Sequence, residues 1–274
     1  MPSAPIRDIM MYYEEAGSGD PLVLLMGITA DSQAWRLQVP ALSQHFRVIT
    51  PDNRGAGRTS APDRPYTIAG MADDTFALMD RLGIAKANVL GFSMGGCIAQ
   101  EMALTQPERV GKLILLSTFA CADAYVRNVV NSLVAARRSN MSREQWVRLI
   151  STFFFGAQTF DQEARFELTV RTQVDNPYAQ QDHAFIRQAQ ALLAFDSRDR
   201  LSALKNETLV ISGAEDILIP PRNAKNLTQA LPNATLKELP GGHVGCIEMP
   251  MEYNAALLEF LGVGAKQPAG ASAG

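Results

Sequence analysis

The chain has 274 residues, 47% of them hydrophobic and 19% charged, and a formal net charge of −3. That length buries one sizeable core, and the slightly acidic balance offers no basic face, so neither nucleic acid nor an anionic membrane surface is an expected partner. The first residues, Met1-Pro2-Ser3-Ala4-Pro5-Ile6-Arg7-Asp8, carry no basic segment leading into a long apolar run, and no apolar run reaches the length that spans a bilayer. Three cysteines (Cys97, Cys121, Cys246) at wide spacings show no metal-site pattern and read as ordinary thiols in a reducing compartment. The expectation is a cytoplasmic protein acting on a small molecule without metal or cofactor, and no pattern speaks to its oligomeric state.

Taken in chain order, short apolar runs at Leu22-Val23-Leu24-Leu25, Phe46-Arg47-Val48-Ile49, Asn88-Val89-Leu90 and Leu113-Ile114-Leu115-Leu116 predict strands. Nearly continuous apolar runs suit strands covered on both faces. Amphipathic stretches over 68–82 and 94–104 predict crossover helices between them, so the sheet is expected to be mainly parallel. After Ser117 the strand rhythm stops, and 122–199 reads as helical pieces broken near Gly156 and Asn176-Pro177. This predicts a helical cap inserted into an α/β core made of 1–121 and 200–262. Its aromatic residues, Trp146, Phe153, Phe154, Phe155, Phe160 and Phe166, suit a lid over an apolar pocket, at least half of them serving to attach the insertion to the core. Strands resume at 208–211 and 235–239, a closing helix spans 251–261, and the Ala/Gly/Ser-rich tail 263–274 is expected to be disordered.

The chemistry centres on Gly91-Phe92-Ser93-Met94-Gly95-Gly96, placed between the strand ending at Leu90 and the helix opening at Met94. Glycines flanking a serine at a strand-to-helix turn permit a tight, strained elbow that holds the hydroxyl out over helical N–H groups. Serine needs a base and an orienting acid to become a nucleophile. Of three histidines, His45 and His183 read as surface or capping residues, whereas His243 sits in Pro240-Gly241-Gly242-His243-Val244-Gly245 directly after the last strand. Asp216, in Gly213-Ala214-Glu215-Asp216, emerges at the C-terminal end of its strand, where ligands meet in open parallel sheets. Glu215 reads as a neighbouring surface charge and Asp123 as a second possible acid. Acyl transfer also needs oxyanion donors. Met94 N–H and Ile28 N–H, the latter in the turn Met26-Gly27-Ile28-Thr29, are the candidates, with Gly27 letting the backbone approach.

With these residues assembled, the chain resembles the α/β-hydrolase superfamily from about Tyr12 to Leu261. The order Ser93, Asp216, His243 is the order of that fold, and Asp52-Asn53-Arg54-Gly55-Ala56-Gly57-Arg58-Thr59-Ser60 resembles its Asp-x-x-Gly-x-Gly-x-Ser turn. Within it the chain looks most like esterases and lactonases grouped around 3-oxoadipate enol-lactonase, with Met26-Gly27 standing where many relatives have His-Gly. The resemblance implies a serine hydrolase of a carboxylic ester or lactone that passes through an acyl-enzyme, with Gly27, Trp146 and Phe154 contacting substrate. Carbon–carbon hydrolysis or cofactor-free perhydrolysis by the same triad, and a ligand receptor without turnover, are the alternatives. Ser93 excludes the aspartate-dependent dehalogenases and epoxide hydrolases of the fold. An anionic substrate such as a dicarboxylate-derived lactone would call for Arg127, Arg137 or Arg138 as an anchor, against their reading as solvated helix faces.

Overall fold

The strand runs of the sequence alternate between two cores. Val23, Leu25, Val89, Leu113, Leu115 and Val210 point into one apolar cluster, while Leu22, Leu24, Leu90, Ile114, Leu116, Leu209 and Ile211 point into the other. Successive side chains of a strand face opposite sides, so a sheet covered on both faces requires continuous rather than alternating apolar sequence. In the computed structural model, which describes residues 2–263, the strands are β1 (Ser3–Ile6), β2 (Ile9–Ala16), β3 (Asp20–Leu25), β4 (Phe46–Pro51), β5 (Ala87–Phe92), β6 (Val110–Leu116), β7 (Thr208–Gly213) and β8 (Ala234–Leu239). They form one sheet in the order β1-β2-β4-β3-β5-β6-β7-β8.

From β4 to β8 every neighbouring pair is parallel; β1–β2 and β2–β4 are antiparallel. The sequence reading missed this antiparallel edge. Side chains alternate between buried and exposed along the four-residue β1, and the apolar stretch Ile9–Tyr13 of β2 runs into Glu14 and Glu15, so the hairpin carries less signal than the inner strands. β3 and β5 lie side by side at the centre, with Leu25 opposite Gly91, which brings the turn after Leu25 next to the turn after Phe92.

Helices α1 (Val39–Leu42), α2 (Ile68–Arg81) and α3 (Met94–Thr105) connect the early strands. Between β6 and β7 come α4 (Ala124–Arg137), α5 (Arg143–Phe154), α6 (Ala157–Phe160), α7 (Glu163–Val174) and α8 (Asp182–Ala194). Then α9 (Pro221–Ala230) links β7 to β8, and α10 (Gly245–Glu248) and α11 (Pro250–Phe260) follow. The insertion breaks near Gly156 and Asn176-Pro177 as its sequence suggests, and also between α4 and α5, where Ser142 and Gln145 form a capping box that starts α5. Inside it Trp146 meets Phe185 edge-on at 5.1 Å and Phe160 meets Phe166 at 4.8 Å, so these rings hold the insertion to itself. Its base is closed by a bridge between Cys121 and Asp196.

The predicted disordered tail, 263–274, lies outside the described residues except for Val263, whose N–H donates to Leu258 O at 2.9 Å in a turn closing α11. Among the described residues no helix is long and apolar enough to cross a membrane.

Candidate active site

Ser93 follows β5 and precedes α3 with φ 54° and ψ −118°, a left-handed backbone that costs a non-glycine residue about 1–3 kcal/mol. The neighbouring glycines make it possible. A Cβ on Gly95 would fall on the carbonyl oxygen of Leu25, and one on Gly91 would fall on that of Gly95, so the elbow closes only without those side chains. The elbow is fixed by Ser93 N–H donating to Leu116 O at 2.8 Å and by Thr118 Oγ1 donating to Ser93 O at 2.8 Å.

His243 and Asp216 converge on the same sheet edge, both almost fully buried. His243 Nδ1 lies 2.8 Å from Asp216 Oδ2, and Asp216 Oδ1 accepts the N–H groups of Leu218 at 2.9 Å and Ile219 at 2.8 Å. A carboxylate held this way accepts from Nδ1–H, which leaves the Nε2 lone pair of a neutral imidazole free to take a proton. The imidazole lies against two rings, Phe92 at 4.9 Å and Phe154 at 5.6 Å. Among the described residues no hydrogen bond joins Ser93 Oγ to His243 Nε2, and such bonds commonly tighten only when substrate is bound.

The histidine loop is tied to the insertion by backbone contacts. Val244 N–H donates to Phe154 O at 3.0 Å. Glu248 accepts from Gly242 N–H at 2.7 Å with one oxygen and from Gly156 N–H at 2.9 Å with the other, which also takes the Thr159 hydroxyl. No sequence motif marks Glu248.

On the opposite side of Ser93 lies the turn after β3. A Cβ on Gly27 would come within 3.0 Å of Ser93 Cβ, so the turn sits directly against the elbow. Asn53 Nδ2, from the Asp52–Ser60 turn, donates to Met26 O at 2.7 Å and anchors the residue that replaces the common histidine. Asp52 in turn accepts Ser32 N–H at 2.7 Å and Arg58 N–H at 2.8 Å. Met94 N–H opens α3, and neither it nor Ile28 N–H bonds to another group among the described residues. Both are available to a ligand oxygen, and the helix N-terminus favours negative charge there.

The other candidates lie elsewhere. Asp123 caps α4 through Val126 N–H at 2.8 Å and pairs with Arg222 at 2.9 Å, which removes it as an orienting acid for His243. Glu215 is exposed and accepts Ala157 N–H at 3.3 Å. His45 is exposed; His183 is half-buried and bonds Ala61 O at 2.8 Å, bridging α8 to the core rather than facing solvent alone. Arg127 is exposed and bonds Ala122 O, and Arg138 ends α4. Arg137 differs from its solvated-face reading, because it lines a cavity with its guanidinium 4.8 Å from the Trp146 ring centre and an ion pair to Asp182 at 2.7 Å.

That cavity, about 420 Å³, lies between the sheet edge and the insertion and is lined by Met26, Ile28, Trp146, Phe154, Phe185 and Val244 among others. A much smaller pocket of about 20 Å³ contains Ser93 and is otherwise apolar, with Phe119, Val130, Leu133, Leu192 and Leu218. Ile28, Ile150, Phe154 and Phe185 border both. Trp146 and Phe154 thus face the cavity as the sequence suggests, whereas Phe119, Leu133 and Phe185 were missed. Their apolar spacing on strand end and helices is indistinguishable from that of core residues. Beneath the elbow, burial pushes the Cys97 thiol up to about 12, so it offers no thiolate at neutral pH.

Comparisons with known proteins identify the family. A family model described as the alpha/beta hydrolase fold matches residues 20–250. The chain is 32% identical over 249 residues to the protein named "Putative carbamate hydrolase RutD" of Caulobacter sp. (strain K31), covering 90% of this chain and 92% of that one. It is similar to the crystal structure of the enol-lactonase from Burkholderia xenovorans LB400, with a TM-score of 0.87 at 28% identity over 95% of this chain and 99% of that one. The meta-cleavage product hydrolase CumD from Pseudomonas fluorescens IP01 matches with a TM-score of 0.82 at 27% identity, covering 95% and 97%. The chain therefore belongs to the α/β-hydrolase family and is a hydrolase.

Proposed function

We propose that the protein hydrolyses a carboxylic ester or lactone through an acyl-enzyme carried on Ser93. The observation that carries this reading is the 2.8 Å contact of Asp216 with His243 Nδ1, on the edge where the strained elbow presents Ser93. In the first half-reaction His243 Nε2 removes the Ser93 proton as Oγ bonds to the carbonyl carbon. Ile28 N–H and Met94 N–H stabilise the oxyanion of the tetrahedral intermediate. The intermediate collapses, the carbon–oxygen bond to the leaving group breaks, and His243 gives its proton to the departing alkoxide. Asp216 stabilises the imidazolium between these transfers. In the second half-reaction water, deprotonated by His243, attacks the acyl carbonyl, and the proton returns to Ser93 Oγ as the acid leaves. The balance is ester plus water giving acid plus alcohol, or lactone plus water giving a hydroxy acid.

The two cavities suggest how a substrate divides. The small apolar pocket around Ser93 has room for about one methyl-sized group, which suits an uncharged, acetyl-sized acyl group. The larger cavity, lined by Val244 just after His243 and by polar groups including Arg137 and Asn176, suits the leaving alcohol, which must lie on the side of the imidazole that protonates it. In a lactone the two parts are one chain, and the ring would cross the shared border.

The test is proton release at fixed pH from matched lactones and open-chain esters, and ammonia release from carbamates, comparing the wild type with Ser93→Ala. Turnover of an ester or lactone that falls by about 10⁴ or more in the variant is the expected outcome. Turnover of carbamates alone would move the reading to the activity in the RutD name, and turnover that survives Ser93→Ala would overturn it.

A further inference from the structure

We infer that Gln180, in the loop between α7 and α8, is a positioning residue through which the insertion sets the oxyanion turn. This rests on the reading above, in which Ile28 N–H is an oxyanion donor. The turn Met26–Thr29 is held at its two ends by two different parts of the molecule. The core grips the first end, Met26 O, through Asn53 Nδ2 at 2.7 Å. The insertion grips the other, where Thr29 N–H donates to Gln180 Oε1 at 3.2 Å. Ile28, whose N–H is free to donate, lies between those anchors.

Thr29 needs such a grip. It is β-branched and holds φ 72°, a conformation that persists only where the surroundings enforce it. Gln180 is 8% exposed and Gln188 is fully buried, so their amides must find partners inside the protein. They do so as a directed chain. Gln188 Nε2 donates to Arg54 O at 2.7 Å. Gln188 Oε1 therefore faces Gln180 and accepts its Nε2 at 2.7 Å, and the same Nε2 donates to Gly55 O at 2.9 Å.

Because Arg54 O and Gly55 O can only accept and Thr29 N–H can only donate, each amide has one workable orientation. Turning the Gln180 amide over would set its NH₂ against Thr29 N–H and its oxygen against two acceptors. The main chain at Gln180 is fixed as well, since its carbonyl accepts Arg137 Nη2 at 2.8 Å. The result is a three-part clamp. Strand-end turn 52–60, the insertion loop and the oxyanion turn share one buried amide network, and displacing the insertion withdraws the acceptor from Thr29 N–H. An oxyanion donor moved by about 1 Å loses on the order of 10²-fold in rate.

The experiment uses the 274-residue chain with phenyl acetate and its thiono analogue, in which sulfur replaces the carbonyl oxygen. A well-placed oxyanion hole favours the oxo ester over the thiono ester. Gln180→Met keeps the length and removes every polar contact of the side chain. For Gln180→Met we expect kcat to fall about tenfold to a hundredfold with KM changed less than threefold. The oxo-to-thiono rate ratio should fall with it.

A Gln180→Met enzyme with wild-type kcat and wild-type rate ratio overturns the proposal. So does a change confined to KM, which would make Gln180 a wall of the cavity. If Gln180→Met does not fold, Gln180→Asn keeps an amide but falls one methylene short of Thr29 N–H, and an unchanged oxo-to-thiono rate ratio in that variant overturns the proposal. Failure of the serine-hydrolase reading has a separate signature, because wild-type turnover would then be insensitive to Ser93→Ala.

Discussion

The strand ends and the helical insertion both contribute to the cavity around Ser93, and they do so in different ways. The strand-end contributions are held chiefly by groups at the sheet edge itself. Ser93 is held through Leu116 O, Asp216 through the N–H groups of Leu218 and Ile219, and Gly27 by direct contact with the elbow. The insertion reaches the site through single side chains or carbonyls far away in sequence. Phe154 lies against His243 and receives Val244 N–H, Glu248 joins Gly156 to the histidine loop, and Gln180 touches Thr29. The first set builds reacting groups; the second adjusts where they sit. Substitutions in the two regions should therefore separate by size, with the strand ends controlling whether bonds break and the insertion controlling how fast and on which substrate.

The largest test of that division is Asp216→Asn. The asparagine oxygen can still accept Leu218 and Ile219 N–H, so the loop should fold, but its NH₂ would face His243 Nδ1 and favour the tautomer with the proton on Nε2. We expect kcat to drop by about 10⁴ with the melting temperature nearly unchanged. A drop of less than tenfold would show that Asp216 merely packs beside the imidazole.

Next in size is Gly27→Ala. Its new methyl group would lie 3.0 Å from Ser93 Cβ and 3.2 Å from the Phe92 ring, so the turn or the elbow must yield by a few tenths of an ångström. Turnover should fall on the order of 10²-fold, the value associated with one misplaced oxyanion donor, while urea denaturation shifts by less than about 1 kcal/mol. On the insertion side, Phe154→Ala keeps the carbonyl that binds Val244 N–H and removes only the ring between the two cavities. The expected cost is about tenfold in kcat/KM for short acyl esters, with longer acyl chains losing less because the border between the pockets has opened.

The same contrast explains what the sequence revealed. Ser93, Asp216 and His243 stand in short glycine-containing segments after apolar runs, because a tight turn at a strand end needs particular residues at fixed offsets. All six parallel strands were legible as apolar runs such as Leu22–Leu25 and Leu113–Leu116, the inner ones for the related reason that both faces are covered. The β1–β2 hairpin was not, since an edge strand with one buried face carries only weak alternation. Gln180, Gln188 and Glu248 were invisible because a polar residue that finds its partners 6 to 151 positions away looks, in sequence, like any solvated one. Arg137 was read beside Arg127 and Arg138 as a helix-face charge, and only the position of Trp146 on the next helix distinguishes it.

The smallest effect expected is also a comparison between the two regions, made with thiols. Cys97 lies under the elbow and Cys246 in α10, and burial raises both thiols to about 12. Burial disfavours the charged form, so at pH 8 only about one molecule in 10⁴ would carry either thiolate even before access is considered. Cys121 is half-buried at the base of the insertion, bridged to Asp196. Iodoacetamide at pH 8 should therefore add one label to the native protein, at Cys121, and three after denaturation, as read by mass spectrometry. Because the label sits at the foot of the insertion and away from Ser93, hydrolysis of a short ester should change less than twofold. Native labelling at Cys97 would mean that the elbow and its helix open on the timescale of alkylation, and the rigid strand-end half of the comparison would fail.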